Sequence, residues 1–208
     1  GWIVGLQMAA ISMRGRKHGG DSAAFLKAFR GTNRYVLDYL TEEVLNQQAP
    51  EVQDFLIETS ILSRMCAELC DAVRFGWSEA RHIHDGEHDS QTILAQLERA
   101  NLFVTPLDDE RKWYRYHHLF ADLLRHRLRQ TYPDQVAGLH QRAALWYREQ
   151  SLLTEAIHHA LHAKEYEFAA PLIEERAMPA LLRAEPYAVS NWLKQLPERL
   201  IQTRPWLC

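Results

Sequence analysis

Between Asn101 and Arg129 the apolar residues change from alternate positions to helical spacing, and this change constrains the fold more than any other stretch. Leu102, Phe103, Val104, Thr105 and Leu107 are apolar or β-forming, and Pro106 points to an edge position. Asp108-Asp109-Glu110-Arg111 has the polarity and length of a hairpin turn. Trp113-Tyr114-Arg115-Tyr116 returns as a second strand. From His118 onward, Leu119, Phe120, Leu123, Leu124 and Leu128 fall on one helical face. A chain built this way must close a two-stranded hairpin onto helices.

The flanking stretches are helical. Gly1 to Met13 carries Trp2, Leu6, Ala9, Ala10 and Met13 on one face, and the basic loop Arg14 to Gly20 ends it. That loop lacks the spacing of a phosphate-binding P-loop. Arg34 to Gln47 is a longer helix, with Tyr35, Leu37, Val44 and Leu45 placed for packing. Pro50 opens a new unit: Glu51 to Ser60, a helix carrying Cys66, Leu69, Cys70, Ala72 and Val73 that Ser63 would cap, and Gln91 to Ala100. Three helices, a hairpin and a closing helix are the order of a winged helix. Past Pro133 the helices pair: Val136 to Gln150, Thr154 to Ala163, Tyr166 to Arg176, Pro179 to Ala184 and Tyr187 to Leu196. Small residues such as Ala144, Ala156, Ala160 and Ala169 allow close approach, as in a helical solenoid. The expected fold is mainly α: a helical-bundle remnant over 1–48, a winged helix over 49–131, and antiparallel TPR-like repeats over 132–208.

The formal charge of −3 argues against a chain that binds nucleic acid over its whole surface. No apolar run approaches the ~20 residues that span a bilayer. Cys66, Cys70 and Cys208 fit reduced thiols in a cytoplasmic protein. Beginning at Gly1 inside an apolar helical pattern and stopping at Cys208, the chain is expected to be an internal fragment.

The segments GWIVGLQMAAISMRG, NRYVLDYLTEEVL, VQDFLIETSIL, LERANLFVTPLDDERKWYRYHHLFADLLRHRL, LHQRAALWY and EAIHHALHAKEYEFAA resemble successive blocks of the ATP-dependent LuxR-family transcription regulators of the MalT-like, signal-transduction ATPase (STAND) type. The blocks run in family order over the whole chain. The resemblance implies the regulatory middle of such an activator, coupling nucleotide state and inducer binding to DNA-binding output. It implies ATP or ADP with magnesium in the parent protein, none of it bound by this segment alone. It also implies several partners: the parent's own nucleotide-binding domain, a small-molecule or protein inducer, promoter DNA through a C-terminal domain, and self-association on activation. No membrane partner is expected. Without a P-loop the segment is not expected to be an enzyme, although the parent would be a slow regulatory ATPase. The competing reading is a helical-repeat interaction scaffold with no nucleotide switch.

His117 stands where strand gives way to helix, a place where free backbone N–H groups favour an anion. By the resemblance, it would contact the phosphates of bound ADP, and Arg115 is the second nucleotide-sensing candidate. Local satisfaction of a turn is the plainer reading of the same histidine. The would-be recognition helix, Gln91 to Arg99, has one acid and one base, too few cations to neutralise a phosphate backbone. His82, His84 and His88 in a polar loop, and His158 and His162 on a helix, lack a zinc-site spacing, so no metal and no catalytic residue is assigned.

Overall fold

A computed structural model describes residues 40–76 and 89–204. The expectations for residues 1–39, the basic glycine-rich loop among them, and for His82, His84, His88 and Cys208 lie outside those residues. After a π-helical turn, Leu40–Leu45, come α1 (Pro50–Thr59), α2 (Ala67–Phe75), α3 (Ser90–Arg99), β1 (Val104–Pro106) and β2 (Tyr114–Tyr116). They are followed by α4 (His118–Thr131), α5 (Gln135–Glu149), α6 (Leu153–His162), α7 (Tyr166–Leu182), α8 (Pro186–Gln195) and α9 (Glu198–Gln202). The fold is mainly α, with a winged-helix order and a following run of antiparallel helices. The described residues form two compact units, one of residues 40–66 and 90–127, the other of residues 67–76, 89 and 128–204.

In the first unit, Pro50 begins α1 where a missing N–H costs nothing. Phe55 and Leu56 of α1, Leu94 of α3, and Phe120 and Leu124 of α4 are fully buried. Each contributes roughly 1.5–3 kcal/mol by leaving water. The strands pair antiparallel with Val104 opposite Tyr116 and Pro106 opposite Tyr114. Tyr114 and Tyr116 point inward, while Arg115 between them is exposed, as strand alternation requires. At the tip, the Asp108 carboxylate accepts the N–H groups of Lys112 (2.8 Å) and Trp113 (3.0 Å), a side-chain closure of the turn.

A third partner joins the hairpin. Met65 donates its N–H to the Tyr114 carbonyl and accepts the Tyr114 N–H, both at 2.8 Å. This displaces the expected role of Ser63: α2 starts at Ala67, and Ser63 lies exposed before it because Met65 is committed to the sheet. Strand β1 is also shorter than read from residue type. Phe103 has φ 58°, so the extended run begins only at Val104, and Leu107 is exposed beyond its end.

In the second unit, α2 packs on α5, and Arg142 of α5 donates its Nε–H to the Val73 carbonyl. The pairs α5–α6, α6–α7 and α7–α8 pack in sequence. Ala143, Ala156, Ala160 and Ala169 are fully buried, so neighbouring backbones meet with only a methyl group between them. Three successive helices end in the same way. Ser151, Lys164 and Ala184 take φ of 58°, 61° and 59°. Beyond them, Leu152, Glu165 and Glu185 donate to the carbonyls of Tyr147, Ala160 and Ala180, each at 2.9 Å. This is the Schellman closure, which supplies partners for the last helical carbonyls. Pro179 does not start a new helix as expected: α7 runs through Pro171 and Pro179 to Leu182. Each proline forfeits one helical hydrogen bond. Burial of Ala170, Leu172, Ile173 and Ala180 holds the helix together across them.

Candidate functional site

The start of α4 is built by three residues distant in sequence. Phe103, with its left-handed backbone, turns its carbonyl onto the His117 N–H at 2.7 Å. A bulky aromatic at positive φ is strained, at a cost of about 1–3 kcal/mol, and such strain persists only where the surroundings hold it. Here the Phe103 ring is buried, with its centroid 5.5 Å from that of Phe120 and 6.4 Å from the His117 ring. The His117 carbonyl accepts the Ala121 N–H at 2.9 Å, so His117 is the cap of α4. The amides of the first turn, from His118 on, have no partner within the helix ladder. They and the helix dipole make this end of α4 favourable to negative charge.

His117 is half-buried, and its Nδ1 is shielded from solvent with no hydrogen-bond partner among the described residues. A buried polar nitrogen left in this way costs about 1–3 kcal/mol. Burial pushes the His117 imidazole below its ordinary range, and the charges of His118 and Arg115 push the same way. The ring is therefore neutral near pH 7, with one nitrogen able to donate and the other to accept. His118 is exposed, its ring centroid 4.2 Å from that of His117. Arg115 is exposed midway along β2, opposite Thr105, near enough for its charge to act on His117. The two residues singled out from the sequence thus lie in one electrostatic neighbourhood. Phe103 was missed as a member of it, because its residue type reads as strand and nothing in the sequence marks positive φ.

In the wing's would-be recognition helix, Glu98 is engaged by the fold itself. It accepts the Tyr114 hydroxyl at 3.3 Å and pairs with Arg111 at 3.4 Å. Burial, reinforced by the Glu98 carboxylate, raises the Tyr114 hydroxyl above its ordinary value and keeps it a donor. Among the described residues no group of three or more His, Cys, Asp or Glu could hold a metal ion. No described helix is long and apolar enough to cross a membrane.

A helical order closed by a hairpin and leading into serial antiparallel helices defines a winged-helix module followed by further helices. Residues 41–136 match the family described as the MalT winged helix domain. Over 204 residues the chain is 33% identical to the HTH-type transcriptional regulator MalT of Serratia proteamaculans, covering 97% of this chain and 21% of that protein. It is 30% identical over 215 residues to MalT of Klebsiella pneumoniae, covering all of this chain and 22% of the relative. It is also 30% identical over 204 residues to the serine/threonine-protein kinase PknK of Mycobacterium tuberculosis, covering 98% of this chain and 17% of that protein. The chain spans about a fifth of the length of these curated relatives. Residues 41–136 thus resemble the MalT winged helix domain, and the chain as a whole is similar to one segment of MalT-like regulators.

Proposed function

We propose that the chain is the regulatory middle of an ATP-dependent, cytoplasmic transcription activator of the MalT-like type, in which α4 and its cap read the nucleotide state. The observation that carries this reading is the buried Nδ1 of His117, left without a partner at the N-terminal end of a 14-residue helix. A phosphate oxygen of ADP, delivered by the parent's nucleotide-binding domain, supplies the missing partner. The neutral ring donates one N–H to it, and the negative charge favours taking up a second proton. Arg115, exposed nearby, adds a cation to the same ligand. ATP and ADP with magnesium belong to the parent domain, and this segment performs no catalysis of its own.

Exchange of ADP for ATP, together with an inducer on the helical, TPR-like repeats, removes the contact and biases a two-state equilibrium. The parent then self-associates and binds promoter DNA through a separate C-terminal domain. Similarity to proteins named as a kinase and as transcriptional regulators supports a control segment that serves different outputs. In the full-length parent, His117→Ala should weaken ADP retention by about tenfold, the loss of one charge-assisted hydrogen bond. Retention unchanged from wild type would remove His117 from the switch.

A second reading is favoured by one surface. Met178, Leu181, Leu182 and Tyr187 are exposed around the α7–α8 turn, with Leu182 82% and Tyr187 89% accessible. Such a patch suits a helical-repeat scaffold that binds protein without a nucleotide switch. Nucleotide-independent partner binding by the full-length parent would favour that reading.

A further inference from the structure

Four histidines meet where α5 and α6 pack. His140 of α5 and His159 of α6 are buried and face each other Nδ1 to Nδ1 at 2.9 Å. The His140 ring stacks on His162 at 5.1 Å, and the opposite neighbour of His159 is the Tyr147 ring, stacked at 5.3 Å. His158 lies 4.3 Å from His162, ring centroid to centroid, and both are exposed. We propose that the His140–His159 pair is an acid-sensitive latch on the α5–α6 hairpin, independent of the nucleotide reading.

The geometry carries the argument. A hydrogen bond between two Nδ1 atoms requires a proton on one and a lone pair on the other. The outer nitrogen of the donor ring can take a proton without breaking the bond, but that places a cation in a buried site beside two further histidines. Protonating both rings sets two N–H groups head to head and destroys the bond. The folded pair therefore holds at most one added proton, whereas the unfolded chain takes two.

Other charged groups lie on the hairpin and on the elements packed against it. The hairpin itself carries Arg142, Arg148, Glu149 and Glu155. The elements packed on it carry Glu68, Asp71 and Arg74 (α2), Glu167, Glu174, Glu175 and Arg176 (α7), and Lys194 (α8). The charges that act on His159 are those of His140, His158 and His162, and like burial they disfavour the imidazolium. Because the folded value is depressed, the latch is fully closed above the unfolded histidine value of about 6.5 and weakens as pH falls through it.

The test is urea unfolding of the 208-residue chain between about pH 8 and pH 5, comparing wild type with His159→Gln and His162→Gln. In wild type and His162→Gln the unfolding constant should rise about tenfold more per pH unit below pH ~6 than in His159→Gln. The same pH slope in all three proteins would overturn the latch. Should His159→Gln fail to fold, the ring Cε1–H resonances of wild type decide. His140 and His159 should titrate as a coupled pair, with the α5–α6 amide signals shifting alongside. Independent titration of both near the ordinary value of about 6.5, with those amides unmoved, would overturn it as well.

Discussion

The Tyr116 hydroxyl donates to the Thr59 hydroxyl at 2.7 Å, joining β2 to the last turn of α1 across 57 residues of sequence. The direction follows from Thr59, whose own proton goes to the Phe55 carbonyl at 2.6 Å. Both hydroxyls are buried, so the wing is held to the first helix by a polar contact water cannot replace. Tyr116→Phe and Thr59→Val should each lower stability by about 1 kcal/mol through loss of this hydrogen bond. A double-mutant cycle by urea unfolding should show coupling of about 0.5–1.5 kcal/mol. Strict additivity would mean that the contact contributes nothing.

The left-handed helix ends are open to improvement. Ala184 holds φ 59° with a side chain that disfavours it. Ala184→Gly should stabilise the chain by about 0.5–1 kcal/mol despite the greater freedom of the unfolded glycine. A lower thermal midpoint in calorimetry would show that the methyl group packs instead.

His117 contributes its own pH dependence. Its folded value lies below the unfolded one, so its share of stability is complete above about pH 6.5 and declines as the pH falls through that point. His117→Asn should flatten the acid limb of the unfolding midpoint in the absence of nucleotide. An unchanged limb would place the ring in solvent.

Close approach at the α5–α6 seam tolerates little added volume. Ala160 is fully buried, and Ala160→Leu should cost about 1–3 kcal/mol or more through overpacking. A variant as stable as wild type would reveal unused space beside the helix.

Much of this architecture was readable from residue pattern. The turn at Asp108, the edge proline at 106, the inward tyrosines and the apolar face of α4 follow from alternation and helical spacing, which operate locally. Helices α5, α6 and α8 begin and end within a residue or two of their expected limits for the same reason. What escaped was either non-local or unmarked. Met65 pairs with Tyr114 through backbone atoms alone, which no side-chain pattern announces. Pro179 looked like a helix start, because burial on both sides of it leaves no trace in residue type. His140 and His159 are 19 residues apart, and only the antiparallel return of α6 makes them partners. At the candidate site, His117 and Arg115 are candidates through the family resemblance and their place beside a helix start, whereas the strain at Phe103 has no mark in residue type.

The single-residue bridge at Met65 has a further effect on how the chain behaves in company. It occupies the Tyr114 backbone on one flank of β2, while β1 covers the other. The outer side of β1 is only three residues long, and Pro106 there has no N–H to offer. At high concentration this wing is a poor template for strand addition by a neighbouring molecule.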